Sequence, residues 1–123
     1  MRLWHEDLIR RLPRQQLLGQ HRECCALRGK GWGKAHSTVD YVFEHKYQRL
    51  FEYHKLIMLE MLRRKYKPNK IWFNFNYRGK ALGYDKELKY NIYESKDKNI
   101  YPEHNKEYLK ECLDNLADKG INI

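Results

Sequence analysis

The feature that most constrains the fold is the run from Tyr47 to Leu62. Tyr47, Leu50, Phe51, His54, Ile57, Met58, Met61 and Leu62 recur at helical spacing, so this segment is read as a helix with one buried face. Arg63, Arg64 and Lys65 close it with cations, which suit the negative end of a helix dipole. Pro68 then stops it.

Two further helices are expected. The stretch 13–27 is compatible with helix throughout, with Pro13 in the first turn, where a missing N–H costs nothing. Gly29 is placed just past its end. Leu17, Leu18, His21, Cys24, Cys25 and Arg28 share one broad side, and Gln15, Gln16, Gly19, Arg22, Glu23 and Ala26 share the other. The third helix is expected to open at Pro102, with Leu109, Cys112, Leu113 and Leu116 as its buried stripe and Gly120 at its end. Between the second and third helices, residues 69–100 show no lasting period and read as a long loop region. The segment 36–43 is either a short apolar turn or the lead-in to the second helix. The fold class that follows is all-α: three main helices with long irregular connections in a single compact domain spanning residues 1–123.

Charge decides which partners to consider. The formal net charge is +9. It is uneven, with 14 Lys/Arg against 7 Asp/Glu in residues 1–66 and 11 against 9 in residues 67–123. That asymmetry points to a polyanion bound by the N-terminal half; simple solubility is the competing explanation. No segment is basic on one face and strongly apolar on the other, so a membrane surface is disfavoured. No run reaches the ~18 apolar residues that a membrane span needs, and the start lacks the apolar core of a signal peptide. Three cysteines, two of them adjacent, make a poor disulfide framework. No CxxC or HExxH occurs, so a metal site is not expected. A soluble monomer in a reducing cytoplasm is expected.

Several residues could carry chemistry. Arg22 and Glu23 lie on the polar side of the first helix, with Gly19 one turn back leaving a notch and Gln15 and Gln16 two turns back. A carboxylate beside arginines near such a notch can steer protons while the cations hold phosphates. Spacing alone favours a solvated surface pair. Arg28, Lys30 and Lys34 flank the loop Gly29-Lys30-Gly31-Trp32-Gly33-Lys34, whose backbone N–H groups could receive an anion and whose Trp32 could stack on a base. A flexible turn with a buried Trp fits as well. The aromatic–polar alternation from Trp72 to Lys80 suits base stacking, and suits a half-buried strand better. His21 and His54 occupy core-facing positions and read as satisfied core residues.

Taken in order, these residues resemble the pyrimidine-dimer DNA glycosylases of the phage endonuclease V type. The shared features are an Arg near the start, Gln15-x-Leu17, Arg22-Glu23 on the first long helix, His36-x-Thr38, Tyr77-Arg78-Gly79 and a Pro-led third helix from Tyr101-Pro102-Glu103-His104. The likeness is best over residues 1–66. It implies an all-α enzyme that flips a nucleotide out of double-stranded DNA bearing a lesion. It also implies attack on the sugar C1′ by the N-terminal amine to give an imine, with a carboxylate on the first helix assisting ring opening and strand cleavage. No metal or cofactor is implied. An α-amine suits this role, because an ordinary pKa near 7.7–8.0 leaves a neutral fraction at neutral pH.

The resemblance assigns Met1 as the amine donor and Glu23 as the carboxylate. Beyond it, Arg2, Arg22, Arg28, Lys30 and Lys34 are expected to hold phosphates, Gln15 to line the site and Trp32 to meet the DNA. The chain departs from the family in two places. Arg2 is too large for normal removal of the initiator, so Met1 takes the nucleophile's place with a one-residue shift. The phage enzyme also has an aromatic, basic tail after its third helix. This sequence ends at Ile123, and Trp32 or the aromatics at 72–77 are the candidates to replace that tail. The expected function is a DNA repair glycosylase with AP-lyase activity; the alternative is a non-catalytic nucleic-acid-binding protein of the same fold.

Overall fold

In the computed structural model, which describes residues 2–29, 39–94 and 99–123, the secondary structure is helical. The three α-helices are α1 (Arg14–Arg28), α2 (Tyr47–Arg63) and α3 (Lys106–Asp118), and short 3-10 turns occupy Glu6–Arg11, Asp40–Glu44 and Lys70–Phe73. No strand occurs among the described residues; Tyr77 and Tyr84 form one isolated antiparallel bridge. The all-α expectation therefore holds. The half-buried strand read into residues 72–80 is replaced by a 3-10 turn and this bridge. Among the described residues no helix is long and apolar enough to cross a membrane.

Helix α2 forms as its spacing dictates. Leu50, Phe51, His54, Ile57, Met58 and Met61 are all buried. The stripe ends one residue early, because Leu62 is 42 % exposed. Tyr53, absent from the expected stripe, is fully buried, because its hydroxyl donates to the Trp4 carbonyl at 2.6 Å. A buried Tyr is tolerated once its O–H is paired. Helix α1 packs on α2 through Leu17, Cys24 and Leu27, and the N-terminal segment adds Leu3, Trp4, Leu8, Ile9 and Leu12 to the same core.

Helix ends show where local sequence fell short. Gly29 caps α1 at φ −86°, not in the left-handed conformation expected of a glycine past a helix end. Its lack of a side chain matters instead because a Cβ there would sit 3.3 Å from the Arg78 carbonyl oxygen. Gly120 does use its freedom: at φ +80° it lets its own N–H and that of Ile121 bond the carbonyls of Ala117 and Leu116. Pro102 does not open α3. The side chain of Asn105 accepts from the Tyr108 N–H at 2.9 Å, so the helix starts at Lys106. Residues 101–104 instead form a turn that buries His104. The Glu6 N–H donates to His104 Nδ1 at 3.3 Å, so the proton is on Nε2, facing the Tyr41 hydroxyl at 2.8 Å. This ring joins the N-terminal turn, the Asp40–Glu44 turn and the lead-in to α3.

Candidate active site

The extended N-terminal segment runs against α1, and one glutamine makes the join. Gln20 is 1 % exposed. Its Oε1 accepts from the Trp4 N–H at 2.6 Å and lies 2.8 Å from the Tyr53 hydroxyl, whose single proton is shared between this oxygen and the Trp4 carbonyl. Its Nε2 donates to the Arg2 carbonyl at 3.0 Å and to Glu23 Oε2 at 2.7 Å. Both amide protons and the amide oxygen thus have partners, as a buried polar group requires. Glu23 sits one turn along, half-buried.

Glu23 borders a cleft of about 320 Å³ whose lining includes Arg2, Trp4, Gln15, Gly19 and Lys119. Burial raises the Glu23 pKa above the ordinary carboxylate value. The positive charge of the chain's amino terminus, the Gln20 amide, Lys119 and Arg22 pull it back down, in that order. These opposing influences meet on a carboxyl group that borders an open cleft, a setting suited to general acid–base work. From α3 comes Asn115, which also lines the cleft and whose Oδ1 is buried without a hydrogen-bond partner.

The residues singled out in the sequence have different fates. Gln15 is exposed at the cleft. Arg22 is exposed, and its guanidinium lies over the notch, 3.8 Å from where a Cβ on Gly19 would be. Arg2 lines the cleft, but its guanidinium pairs with Glu111 of α3 at 3.1 Å. Glu111 is 61 % exposed, so that pair is worth ~0–1 kcal/mol and gives way easily to a competing anion. Met1, Lys30, Trp32 and Lys34, with His36 and Thr38, lie outside the described residues.

Arg28 is a correction. It was expected to hold a phosphate, yet it is 0 % exposed. Nε donates to the Tyr47 hydroxyl at 2.8 Å, Nη1 to His54 Nδ1 at 3.0 Å and to the Trp72 carbonyl at 2.7 Å, and Nη2 to the carbonyls of Asn74 and Tyr77 at 2.9 and 3.0 Å. The five donors of a guanidinium are therefore spoken for. The rings of Trp72 and Phe51 face its charge at 5.0 and 5.1 Å. Arg28 is the pin that ties α1 to α2 and to residues 72–77. The aromatics of that segment are not a free stacking row: Trp72 packs on His54 and Tyr77, and Phe75 on Tyr47, Phe51 and Tyr90.

His21, Cys25 and His54 offer ligand atoms within 4.8 Å of one another, a cluster that sequence spacing did not reveal. Its hydrogen bonds oppose metal binding. Arg28 can only donate, so His54 Nδ1 must accept, and the His54 proton sits on Nε2, aimed at His21 Nδ1 at 2.8 Å. A metal on His54 Nε2 would need that proton moved to Nδ1, against the guanidinium. Burial also pushes the Cys25 thiol up to about 11, so it is not the thiolate that metals prefer. The pair behaves as the satisfied core histidines that the sequence suggested.

These histidines give the protein an acid sensitivity. Burial, then the Arg28 charge, then His21 hold His54 well below its ordinary pKa, and burial followed by the neighbouring His5 lowers His104 to about 3. The unfolded chain binds protons at these positions below about 6.5, whereas the folded protein refuses them, so stability falls as pH drops through that window. Each histidine removes about 1.4 kcal/mol per pH unit there. Urea unfolding at pH 5.5 is expected to give a free energy about 2–3 kcal/mol lower than at pH 7.5; equal values would show that the two rings are not held neutral.

Gln20, Asn115 and Lys119 were not anticipated as site residues. Gln20 had a faint signal, one turn before Glu23, but nothing in the sequence ties α3 to α1. Comparison with known proteins gives one result. A family model described as pyrimidine dimer DNA glycosylase matches residues 1–74, which include α1, α2 and Glu23. Searches of curated proteins and of solved structures find no match.

Proposed function

Because this chain belongs to the pyrimidine dimer DNA glycosylase family, we propose that it excises a damaged base and then nicks the strand through an imine formed by its own N-terminal amine. The carrying observation is the Gln20 amide, which bonds the Arg2 carbonyl and the Glu23 carboxylate at once. The amine this reading uses is that of Met1, the residue preceding Arg2 in sequence. Its positive charge is also the largest influence opposing burial on the Glu23 pKa.

The neutral amine of Met1 attacks C1′, and the base departs with the glycosidic electron pair. The sugar ring opens as the imine forms, its oxygen taking up a proton. β-Elimination then removes a C2′ proton and expels the 3′ phosphate. Glu23 is the group that moves these protons. Gln15 lines the site and Arg22 holds a phosphate beside it. Arg2 does the same once it leaves Glu111, and Lys30, Trp32 and Lys34 complete the DNA contacts. The excess of cations in residues 1–66 favours a DNA partner whether or not the chemistry runs.

The test uses untagged protein, abasic-site DNA and borohydride, which reduces an imine to a stable amine. A covalent adduct is expected, and it should vanish when an N-terminal tag blocks the amine. Tight, salt-sensitive DNA binding with no adduct on any damaged substrate would instead leave a non-catalytic DNA-binding protein.

A further inference from the structure

We propose that Gln20 is the positioning residue of this site, fixing the amino-terminal segment and the Glu23 carboxylate to each other through a single buried side-chain amide. The inference deepens the imine reading and rests on it for its kinetic arm alone. Two geometric facts carry it. Both Nε2 protons point at the reacting side, one to the Arg2 carbonyl at 3.0 Å and one to Glu23 Oε2 at 2.7 Å. On the other side, Oε1 is pinned by the Trp4 N–H at 2.6 Å, with the Tyr53 hydroxyl 2.8 Å away sharing its one proton between Oε1 and the Trp4 carbonyl. The amide therefore cannot flip without opposing donor to donor and acceptor to acceptor, which removes rotational freedom from Glu23 and from the backbone at Arg2.

An amine that attacks C1′ and a carboxylate that serves the same sugar must keep their spacing through several steps. Misplacement of such groups by 1 Å costs as much as ~100-fold in rate. Most residues that could hold them are exposed or engaged elsewhere: Arg2 turns to Glu111, and Lys119 lies over the Trp4 ring at 5.3 Å. Gln20 is the buried link between the two described parts of the site. It also acts on ionisation, because its N–H is one of the influences that oppose burial at Glu23. The other charges facing Glu23 are Arg22 on α1, Lys119 after α3 and the chain's amino terminus.

The experiment compares wild type, Gln20→Met, Gln20→Glu and Tyr53→Phe. Carbon-13 NMR of the side-chain carboxyls follows the Glu23 titration in the free protein, and borohydride trapping on abasic-site DNA gives the rate of imine formation. Gln20→Met removes all four bonds. Gln20→Glu keeps the acceptors for Trp4 and Tyr53 and loses the two donors, so it serves if the Met variant does not fold. Both are expected to raise the Glu23 midpoint and slow trapping about tenfold or more. Tyr53→Phe weakens the same network behind the amide, so it should lower Tm while leaving the Glu23 midpoint in place. A Glu23 midpoint and trapping rate unchanged in either folded Gln20 variant would overturn the proposal. So would a Tyr53→Phe shift as large as that of the Gln20 variants, because Gln20 would then be packing alone. If wild type forms no adduct, the imine reading fails, and the titration still decides on Gln20.

Discussion

Arg28→Ala is expected to cost about 3–5 kcal/mol of stability, the usual penalty for breaking a buried charged network. The reason is the number of partners left behind. The Tyr47 hydroxyl, His54 Nδ1 and the carbonyls of Trp72, Asn74 and Tyr77 all receive hydrogen bonds from this one side chain. An unpaired buried acceptor costs ~1–3 kcal/mol, and relaxation recovers part of that. Against a total stability of ~5–15 kcal/mol for a domain, the loss is a large fraction of the margin. Arg28→Lys keeps the charge but has three donors on one nitrogen, so it should fall between wild type and Ala. Urea denaturation measures all three. A loss under about 1 kcal/mol, with weaker and less salt-sensitive DNA binding, would return Arg28 to the phosphate-holding role that its charge first suggested.

Glu23→Gln is expected to reduce strand cleavage about 10²- to 10⁴-fold while leaving DNA affinity nearly unchanged. The replacement has the same shape, and its carbonyl oxygen can still accept from Gln20. Only the capacity to take and give a proton is lost. The same change should leave Tm equal or higher. Burial raises the pKa of Glu23, so carrying its charge costs the folded protein some stability at pH values above the ordinary carboxylate range. A residue that works against folding yet is held in a cleft is the pattern of a functional group. Gel-based cleavage of abasic-site DNA and a thermal melt together decide the matter. Unchanged cleavage removes Glu23 from the mechanism, and a melt lowered by several degrees makes it structural.

The family connection was legible because it rests on local order along the chain. Gln15, Leu17, Arg22 and Glu23 keep their spacing on one helix, and that helix forms where the residues say it should. The role of Arg28 was not legible. On a helical wheel it shares the side of Leu17 and Cys24, and a cation there reads as a surface group. Only the carbonyls of residues 72–77, brought in from 44 or more positions away, make its burial tolerable. The start of α3 was misplaced for a smaller reason: Pro102 permits a helix start, but the Asn105 cap supplies the missing acceptor.

The three helices, the all-α class and the placement of Arg22 and Glu23 on one helix follow from the order of residues along the chain. Each depends on hydrophobic period and on neighbours within a few residues, which a linear reading contains. Tertiary structure alone decided which polar groups are buried and whom they meet. It tied Gln20 to both the N-terminal segment and Glu23, sent Arg28 into the core, and added Asn115 of α3 and Lys119 just after it to the cleft. Those outcomes depend on hydrogen-bond satisfaction among segments distant in sequence. That condition exists only once the chain has folded.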